Sequence, residues 1–120
     1  MKKNVLIIGA GGVGQVVAHK CAQHNLQLGD IHIASRTIRK CLALIDGIHE
    51  KGVLQNPKGV LKAHTLDAMD TAATRKLIEQ TGAQIGINVG HAFVNMPVLE
   101  ACIQTGAAYI DTAIHEDPGA

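Results

Sequence analysis

The stretch VLIIGAGGVGQVV, residues 5–17, decides the fold of this chain. Four apolar residues lead into four glycines among residues 9–14, after which valines return. The continuous apolar run at residues 4–8 predicts a strand buried on both faces. Apolar side chains then recur at helical spacing and predict a helix from residue 12 to about 25. They are Val13, Val16, Val17 and Cys21.

The glycines Gly9, Gly11 and Gly14 have the spacing G-x-G-x-x-G at this predicted strand-to-helix junction. Gly9 permits a tight turn, Gly11 has no Cβ to keep a pyrophosphate from the backbone, and Gly14 permits close packing of helix on sheet. Amide groups at the start of the helix can hold phosphates. The pattern therefore favours a dinucleotide-binding turn, and the alternative is a tight turn without a ligand.

Short apolar runs and helical patterns continue to alternate along the chain. Further strands are predicted at residues 30–35, 60–67, 83–90 and 107–113. Helices are predicted at residues 36–50, with Ile38, Leu42, Ile45 and Ile48 on one face, at 71–81, and from a cap at Asn95 to about 105, with Pro97 in the first turn. Gly82 and Gly106 are expected to end the last two helices. Right-handed crossovers would join these elements into an α/β, Rossmann-type doubly wound parallel sheet of about five strands with helices on both faces, so residues 1–120 form one NAD(P)-binding domain.

The end of the second predicted strand indicates which cofactor is bound. NAD-binding domains usually carry an acidic residue there, whereas this chain has Ser35, Arg36 and Thr37, followed by Arg39 and Lys40. A guanidinium and two hydroxyls suit the 2′-phosphate of NADP(H), which a carboxylate would repel. The alternative is that Ser35 or Thr37 only caps the second helix while Arg36 lies in solvent, and this does not exclude phosphate binding.

Other candidate site residues follow the later strands. Asp67, with the Ala68 amide, could accept from the adenine amino group, although Asp67 or Asp70 could equally cap the next helix. The backbone at Asn88 and Val89 should flank the nicotinamide half of the cofactor, because ligands bind at the carboxyl ends of the strands. The ring of His91 or His115 could act as an acid or base there, although exposed loop histidines are commoner. No catalytic residue is assigned.

Composition excludes several classes of protein. The formal net charge is +1, and the chain has one Phe, one Tyr and no Trp, so neither a nucleic acid nor a membrane surface is an expected partner. No apolar run is long enough to span a bilayer. Three distant cysteines suggest buried reduced thiols in a cytoplasmic protein. The seven histidines lack the spacing of a zinc site, so no metal is expected.

Four stretches together resemble the N-terminal domain of the saccharopine dehydrogenase-like family: VLIIGAGGVGQVVAHKCAQ, IHIASRT, INVG and AAYIDTA. The resemblance implies a homodimeric, NADPH-dependent enzyme that reduces an imine formed from an amine and an aldehyde, both small molecules. It implies that Ser35, Arg36 and Thr37 hold the 2′-phosphate and that Asp67 and Ala68 border the adenine. It assigns the pyrophosphate to Gly9, Gly11, Gly12, Val13 and Gly14. Family members often carry a Leu-Pro-Tyr-like segment where this chain reads His91-Ala92-Phe93, so the chain has no tyrosine hydroxyl at this point.

Enzymes of the family that this chain resembles continue into a substrate and dimerisation domain. The chain is therefore interpreted as the cofactor domain, an N-terminal fragment, of a longer two-domain enzyme. One alternative is a free-standing nucleotide-sensing module of the kind that gates potassium transport, although such modules usually carry an acidic residue at the end of the second strand. Another is a structural domain that has lost its cofactor, against which the intact glycine pattern argues.

Overall fold

Strands and helices alternate through the computed structural model, which describes residues 2–90 and 94–111. The strands are β1 (Lys3–Ile8), β2 (Leu28–Ser35), β3 (Leu61–Thr65), β4 (Ala83–Asn88) and β5 (Ala108–Asp111). The helices are α1 (Gly12–Gln23), α2 (Ile38–Lys51), α3 (Thr71–Thr81) and α4 (Asn95–Thr105). All strand pairings are parallel, and the order is β3-β2-β1-β4-β5. This is the predicted doubly wound sheet, and its order reverses between β1 and β4.

Helices cover both faces of the sheet, as predicted. Successive side chains of β1 point to opposite faces, because the side-chain period of a strand is two residues. Val5 and Ile7 pack in a core with buried residues of α1 and α2. Leu6 and Ile8 pack in a second core with buried residues of α3 and α4. The central strand is therefore apolar on both sides, which explains its uninterrupted run of large aliphatic residues.

Helix α1 packs against the sheet mainly through small residues. The side chains of Val13 and Val16 are 54% and 61% exposed, and Val17 is only partly buried. The helix itself is confirmed, and of the four residues whose spacing predicted it only Cys21 is buried. Small residues allow the helix to lie close to the sheet, and the larger apolar side chains of Val13 and Val16 lie outside that contact. The buried residues of α1 are Gly14, Ala18, Cys21 and Ala22.

Helix α2 buries only half of its predicted apolar face. Ile45 and Ile48 are buried as predicted, whereas Ile38 and Leu42 are 41% and 49% exposed. Cys41 and Leu44 are buried in their place. The buried stripe 41, 44, 45 and 48 has helical spacing, and it is displaced around the helix from Leu42. The prediction for Ile38 and Leu42 was wrong because two interleaved apolar stripes are present in the sequence.

The ends of α3 follow local rules. Asp70 is the N-cap residue, and its Oδ1 accepts a hydrogen bond from the Ala73 amide at 3.0 Å. Of the two capping candidates, Asp70 caps this helix and Asp67 does not. Gly82 ends α3 in the left-handed conformation with φ +65°, as predicted. Gly106 ends α4 in the same way with φ +78°.

The start of α4 differs from the prediction. Val94 is the N-cap residue, and Asn95 is already the first residue of the helix, with no side-chain cap. The Asn95 Oδ1 instead accepts hydrogen bonds from the side chains of Asn88 and Tyr109. Asn95 was therefore wrongly predicted as the cap, because tertiary partners on β4 and β5 compete for its side chain. Pro97 lies in the first turn, as predicted.

All three cysteines are free and buried, as predicted for structural thiols. Burial raises the pKa of the Cys21 and Cys102 thiols above the ordinary value. A buried thiol with a raised pKa is a poor nucleophile, because the thiolate is the reactive form. These side chains therefore serve as small apolar core residues.

Candidate functional site

A cavity of about 700 Å³ opens at the carboxyl ends of β1, β2 and β3. It lies beside the point where the strand order reverses, which is where open α/β sheets bind their ligands. Each strand contributes the segment that follows it, and Gly90 contributes from beyond β4. The lining residues are Ile8, Gly9, Ala10, Gly11, Ser35, Arg36, Thr37, Lys40, Leu66, Asp67, Ala68, Met69, Gly90 and Val94.

One side of the cavity, here called the glycine wall, consists of Gly9, Ala10, Gly11 and Gly90. Gly9 has φ +116°, a conformation that side chains rarely adopt, and a Cβ there would lie 2.8 Å from the Gly90 amide nitrogen. The Gly9 amide donates to the Ala34 carbonyl at 2.8 Å, so the turn is tied to β2. A Cβ at Gly14 would overlap the Gly9 carbonyl oxygen. Steric exclusion therefore fixes both the turn and the approach of α1.

The start of α1 is open on the side that the turn does not occupy. A Cβ at Gly11 or Gly12 would meet no atom within 4 Å. Gly11 is the N-cap residue, and no side chain caps the helix. The first amides of a helix have no partner within the helix, and they carry the positive end of its dipole. A phosphate group fits this arrangement, since space and hydrogen-bond donors occur together.

The other side of the cavity, here called the polar wall, consists of Ser35, Arg36, Thr37 and Asp67. The Ser35 hydroxyl accepts from the Thr37 amide at 3.1 Å and donates to the Thr37 carbonyl at 2.9 Å. Thr37 occupies the N-cap position of α2 without a side-chain cap. The serine thus shapes the turn after β2, while Thr37 begins the helix by its backbone only. Thr37 is therefore the N-cap residue of α2, as the capping alternative proposed, but its hydroxyl makes no capping hydrogen bond.

An ion pair joins the two strand ends of the polar wall. The Nη2 of Arg36 lies 3.4 Å from the Oδ1 of Asp67, and the two side chains are 75% and 54% exposed. The same Oδ1 accepts from the Met69 amide at 3.1 Å, which fixes the carboxylate on its own turn. Lys40 adds a second cation to the lining. The cavity lining therefore carries two cations and one carboxylate.

A buried amide supports the glycine wall from behind. Asn88 is 1% exposed, its Oδ1 accepts from the Gly90 amide at 3.0 Å, and its Nδ2 donates to the Asn95 Oδ1. The Tyr109 hydroxyl donates to the same Asn95 oxygen at 3.3 Å. Burial raises the pKa of Tyr109, so its hydroxyl stays protonated as a donor. This network holds Gly90 in the position that Gly9 requires.

The structure brings most of the predicted side chains to one cavity. Seven line it: Gly9, Gly11, Ser35, Arg36, Thr37, Asp67 and Ala68. Five lie outside the lining: Gly12, Val13, Gly14, Asn88 and Val89. His91, Phe93 and His115 lie outside the described residues. Sequence reasoning missed the apolar lining residues Leu66, Met69 and Val94. Leu66 lies at the end of the predicted strand 60–67 and Met69 just after it, so both could have been found from their place at that strand end.

Two features are absent from the described part of the chain. None of its helices is both long and apolar enough to cross a membrane. Within residues 2–90 and 94–111, no group of three or more His, Cys, Asp and Glu side chains could hold a metal ion.

The sheet order, the glycine turn and the cavity beside it define a Rossmann-type dinucleotide-binding domain. The chain belongs to the family described as the saccharopine dehydrogenase NADP binding domain, whose family model matches residues 5–119. The predicted family resemblance and the prediction of NADP(H) as the cofactor are both confirmed.

Similar proteins agree with this family. The chain is 45% identical to carboxynorspermidine synthase of Vibrio alginolyticus, over 94% of this chain and 27% of that protein. It is 41% identical to carboxyaminopropylagmatine dehydrogenase of Synechocystis sp., over 95% and 26%. Apo saccharopine dehydrogenase (L-Glu forming) from Saccharomyces cerevisiae has the same fold, with a TM-score of 0.70 and 24% identity over 91% of this chain and 21% of that one. The chain thus spans about a quarter of the length of the curated relatives it matches.

Proposed function

We propose that this chain is the NADP(H)-binding domain of an oxidoreductase that reduces an imine formed from an amine and an aldehyde. The observation that carries the proposal is the guanidinium of Arg36, which lines the cavity where NAD-binding domains place a carboxylate. A cation at this position attracts a 2′-phosphate, which only NADP(H) carries.

The proposed site divides the cofactor between the two walls. The polar wall takes the adenosine half, with the 2′-phosphate on Ser35, Arg36 and Thr37 and the adenine beside Asp67 and Ala68. The start of α1 takes the pyrophosphate, and the residues after β4 flank the nicotinamide half. The residues assigned to these last two parts are Gly9, Gly11, Gly12, Val13 and Gly14 for the pyrophosphate, and Asn88 and Val89 for the nicotinamide side.

Charge supports the adenosine half of this assignment. The lining contains the cations Arg36 and Lys40 against the one carboxylate of Asp67. A phosphate close to the sugar 2′ position carries almost two negative charges, so it gains from both cations. Arginine can also form two parallel hydrogen bonds to one phosphate, which lysine cannot. Arg36 is therefore the residue whose loss should distinguish the two cofactors.

A binding experiment tests the proposal directly. Calorimetric titration of the chain with NADPH and with NADH gives both dissociation constants. Replacing Arg36 by Ala should weaken NADPH binding about 10- to 100-fold, because a hydrogen-bonded charge pair contributes roughly 1.5–3 kcal/mol. NADH binding should change little. Arg39→Ala is the matched control, because Arg39 is exposed and does not line the cavity. Equal losses for both cofactors in Arg36→Ala would contradict the assignment.

The activity proposed for the whole protein rests on its relatives. Both curated relatives described above carry names of enzymes that make or oxidise carboxylated amines, so we propose the same class of small-molecule substrate and a place in polyamine synthesis. NADPH, when bound, supplies the hydride that goes to the imine carbon, and a proton on nitrogen completes the secondary amine. The protein would be a cytoplasmic homodimer without a nucleic-acid or membrane partner.

The whole-protein proposal has its own test. The full-length protein should consume NADPH when an amine and an amino-acid semialdehyde are supplied together, and not when either is supplied alone. Consumption without the amine would indicate reduction of the aldehyde instead. Sedimentation of the same preparation measures whether it is a dimer.

A further inference from the structure

We propose that Asp67 sets how strongly this domain discriminates between NADPH and NADH, by competing with the 2′-phosphate of the cofactor for Arg36. This inference rests on the proposed function of the polar wall. It assigns Asp67 a role beyond contact with the adenine, since the carboxylate acts through the guanidinium next to it.

The geometry places the competitor where the phosphate would bind. Arg36 follows β2 and Asp67 follows β3, and the Nη2–Oδ1 distance is 3.4 Å. The two segments are held at a fixed spacing, because the Leu66 amide donates to the Ser35 carbonyl at 2.9 Å. The Met69 amide holds the Asp67 carboxylate at 3.1 Å. Asp67 is therefore held by its own turn, whereas the Arg36 side chain is 75% exposed.

The chemistry makes the competition specific for one cofactor. Arg36 directs its Nη2 to Asp67, so a 2′-phosphate that binds two donors of the same guanidinium would either share Arg36 with the carboxylate or replace it. NADH lacks this phosphate, and its binding does not require Arg36 to change partner. Any hydrogen bond from the adenine amino group to Asp67 is common to both cofactors. It therefore cancels in the ratio of the two dissociation constants.

The expected effect is small because the ion pair is exposed. Pairs of this exposure change an equilibrium constant by up to about fivefold. Replacing Asp67 by Asn removes the charge and keeps an oxygen that can accept from the Met69 amide. We expect Asp67→Asn to raise the preference for NADPH over NADH by about two- to fivefold, mainly through tighter NADPH binding.

The experiment is a double-mutant cycle. Its readout is the ratio of the NADH dissociation constant to the NADPH dissociation constant, which rises as the preference for NADPH increases. Dissociation constants for NADPH and NADH are measured by nicotinamide fluorescence for the unmodified chain, Asp67→Asn, Arg36→Ala and the double variant. Asp70→Asn is the matched control, because it makes the same charge change three residues away, keeps a good N-cap residue and lies outside the cavity lining. We expect the ratio to rise in Asp67→Asn, to stay unchanged in Asp70→Asn, and to show no Asp67 effect once Arg36 is absent.

Each other outcome overturns the inference. An unchanged or lower ratio in Asp67→Asn would mean that the carboxylate does not compete, or that it orients Arg36 for the phosphate. A rise that persists without Arg36 would mean direct repulsion of the phosphate. If the unmodified chain does not prefer NADPH, the proposed function fails and this inference fails with it. If the chain prefers NADPH and only the Asp67→Asn ratio is unchanged, the inference alone fails.

Discussion

The glycine wall and the polar wall line the same cavity, yet different forces define their shapes. In the glycine wall, Gly9 and Gly90 are so close that a single Cβ would not fit between them. In the polar wall, Arg36 and Asp67 meet through long, exposed side chains at 3.4 Å. Backbone sterics fix the first wall, whereas weak electrostatics arrange the second.

This difference suggests how the two halves of the site change under substitution. A substitution at the contact between Gly9 and Gly90 should damage the fold and the site together, because the same contact serves both. A substitution in the polar wall should change which cofactor binds while leaving the fold intact. Specificity can thus be adjusted on one side of the cavity without a cost in stability on the other.

The largest effect is expected when the glycine wall is broken at its closest contact. Gly9→Ala places a Cβ 2.8 Å from the Gly90 nitrogen and forces alanine to φ +116°. We expect the free energy of unfolding to fall by about 2–4 kcal/mol, from backbone strain and overpacking combined. Urea denaturation followed by circular dichroism measures it. A loss below about 0.5 kcal/mol would show that the turn relaxes easily and that the wall is not sterically fixed.

Gly11→Ala sharpens the same comparison within the glycine wall. Its Cβ would point into open space, so we expect the free energy of unfolding to change by less than about 1 kcal/mol. NADPH binding should nevertheless weaken roughly tenfold or more, because the Cβ occupies the space through which a pyrophosphate approaches the backbone. Calorimetric titration with NADPH measures this. Binding equal to that of the unmodified chain would remove Gly11 from the site.

A smaller loss of stability is expected when the support behind the glycine wall is removed. Asn88→Ala leaves the Gly90 amide and the Asn95 oxygen without their buried partner. We expect a loss of about 1–3 kcal/mol in urea denaturation. Gln104→Ala is the matched control, since its amide makes an exposed bond to Glu100 at 3.1 Å, and it should cost no more than about 0.5 kcal/mol. Equal losses would show that burial of Asn88 contributes nothing.

The smallest effect concerns pH and the strands beneath the polar wall. His32 Nδ1 and His64 Nε2 lie 2.8 Å apart on β2 and β3, and His32 is buried. Burial lowers the pKa of both rings below the ordinary 6.5. Above pH 6.5 the rings are neutral in the folded and unfolded states, and the full stability is present. As the pH falls below this value, the unfolded chain takes up protons first, so the free energy of unfolding decreases.

The pH prediction is measured by urea denaturation at pH 7.5 and pH 5.5. His64→Gln should lose less stability between the two pH values than the unmodified chain, because one ring no longer titrates and His32 no longer has a charged neighbour. His49→Gln is the control for replacing an exposed histidine. A loss in His64→Gln equal to that of the unmodified chain would exclude this pair as a source of the pH dependence.

The parts of the structure that sequence could predict are those set by local rules. The glycine spacing, the cap at Asp70 and the stops at Gly82 and Gly106 each follow from backbone geometry, and the alternation of elements then gives the parallel sheet. The segment Ser35–Thr37 was predicted because one position after β2 decides the cofactor. The cavity brings these residues together with Asp67 as expected.

The parts of the structure that sequence could not predict depend on partners far apart in the chain. Asn95 bonds to Asn88 and Tyr109 rather than capping its helix, and no local signal distinguishes these alternatives. Val13 and Val16 are exposed because α1 approaches the sheet through small residues, whereas the hydrophobic pattern favours large ones. The ion pair of Arg36 depends on the spacing of two loops, which the sequence does not encode locally.

The central place of β1 has a consequence for how this domain is made. Its two neighbours in the sheet are β2 and β4, and Ala83, where β4 begins, comes 75 residues after Ile8. At the usual elongation rates of about 5–20 residues per second, β1 waits roughly 4–15 seconds on the ribosome before its second edge can be covered. During that interval the nascent chain exposes an apolar strand with an unpaired edge, the kind of surface that chaperones bind.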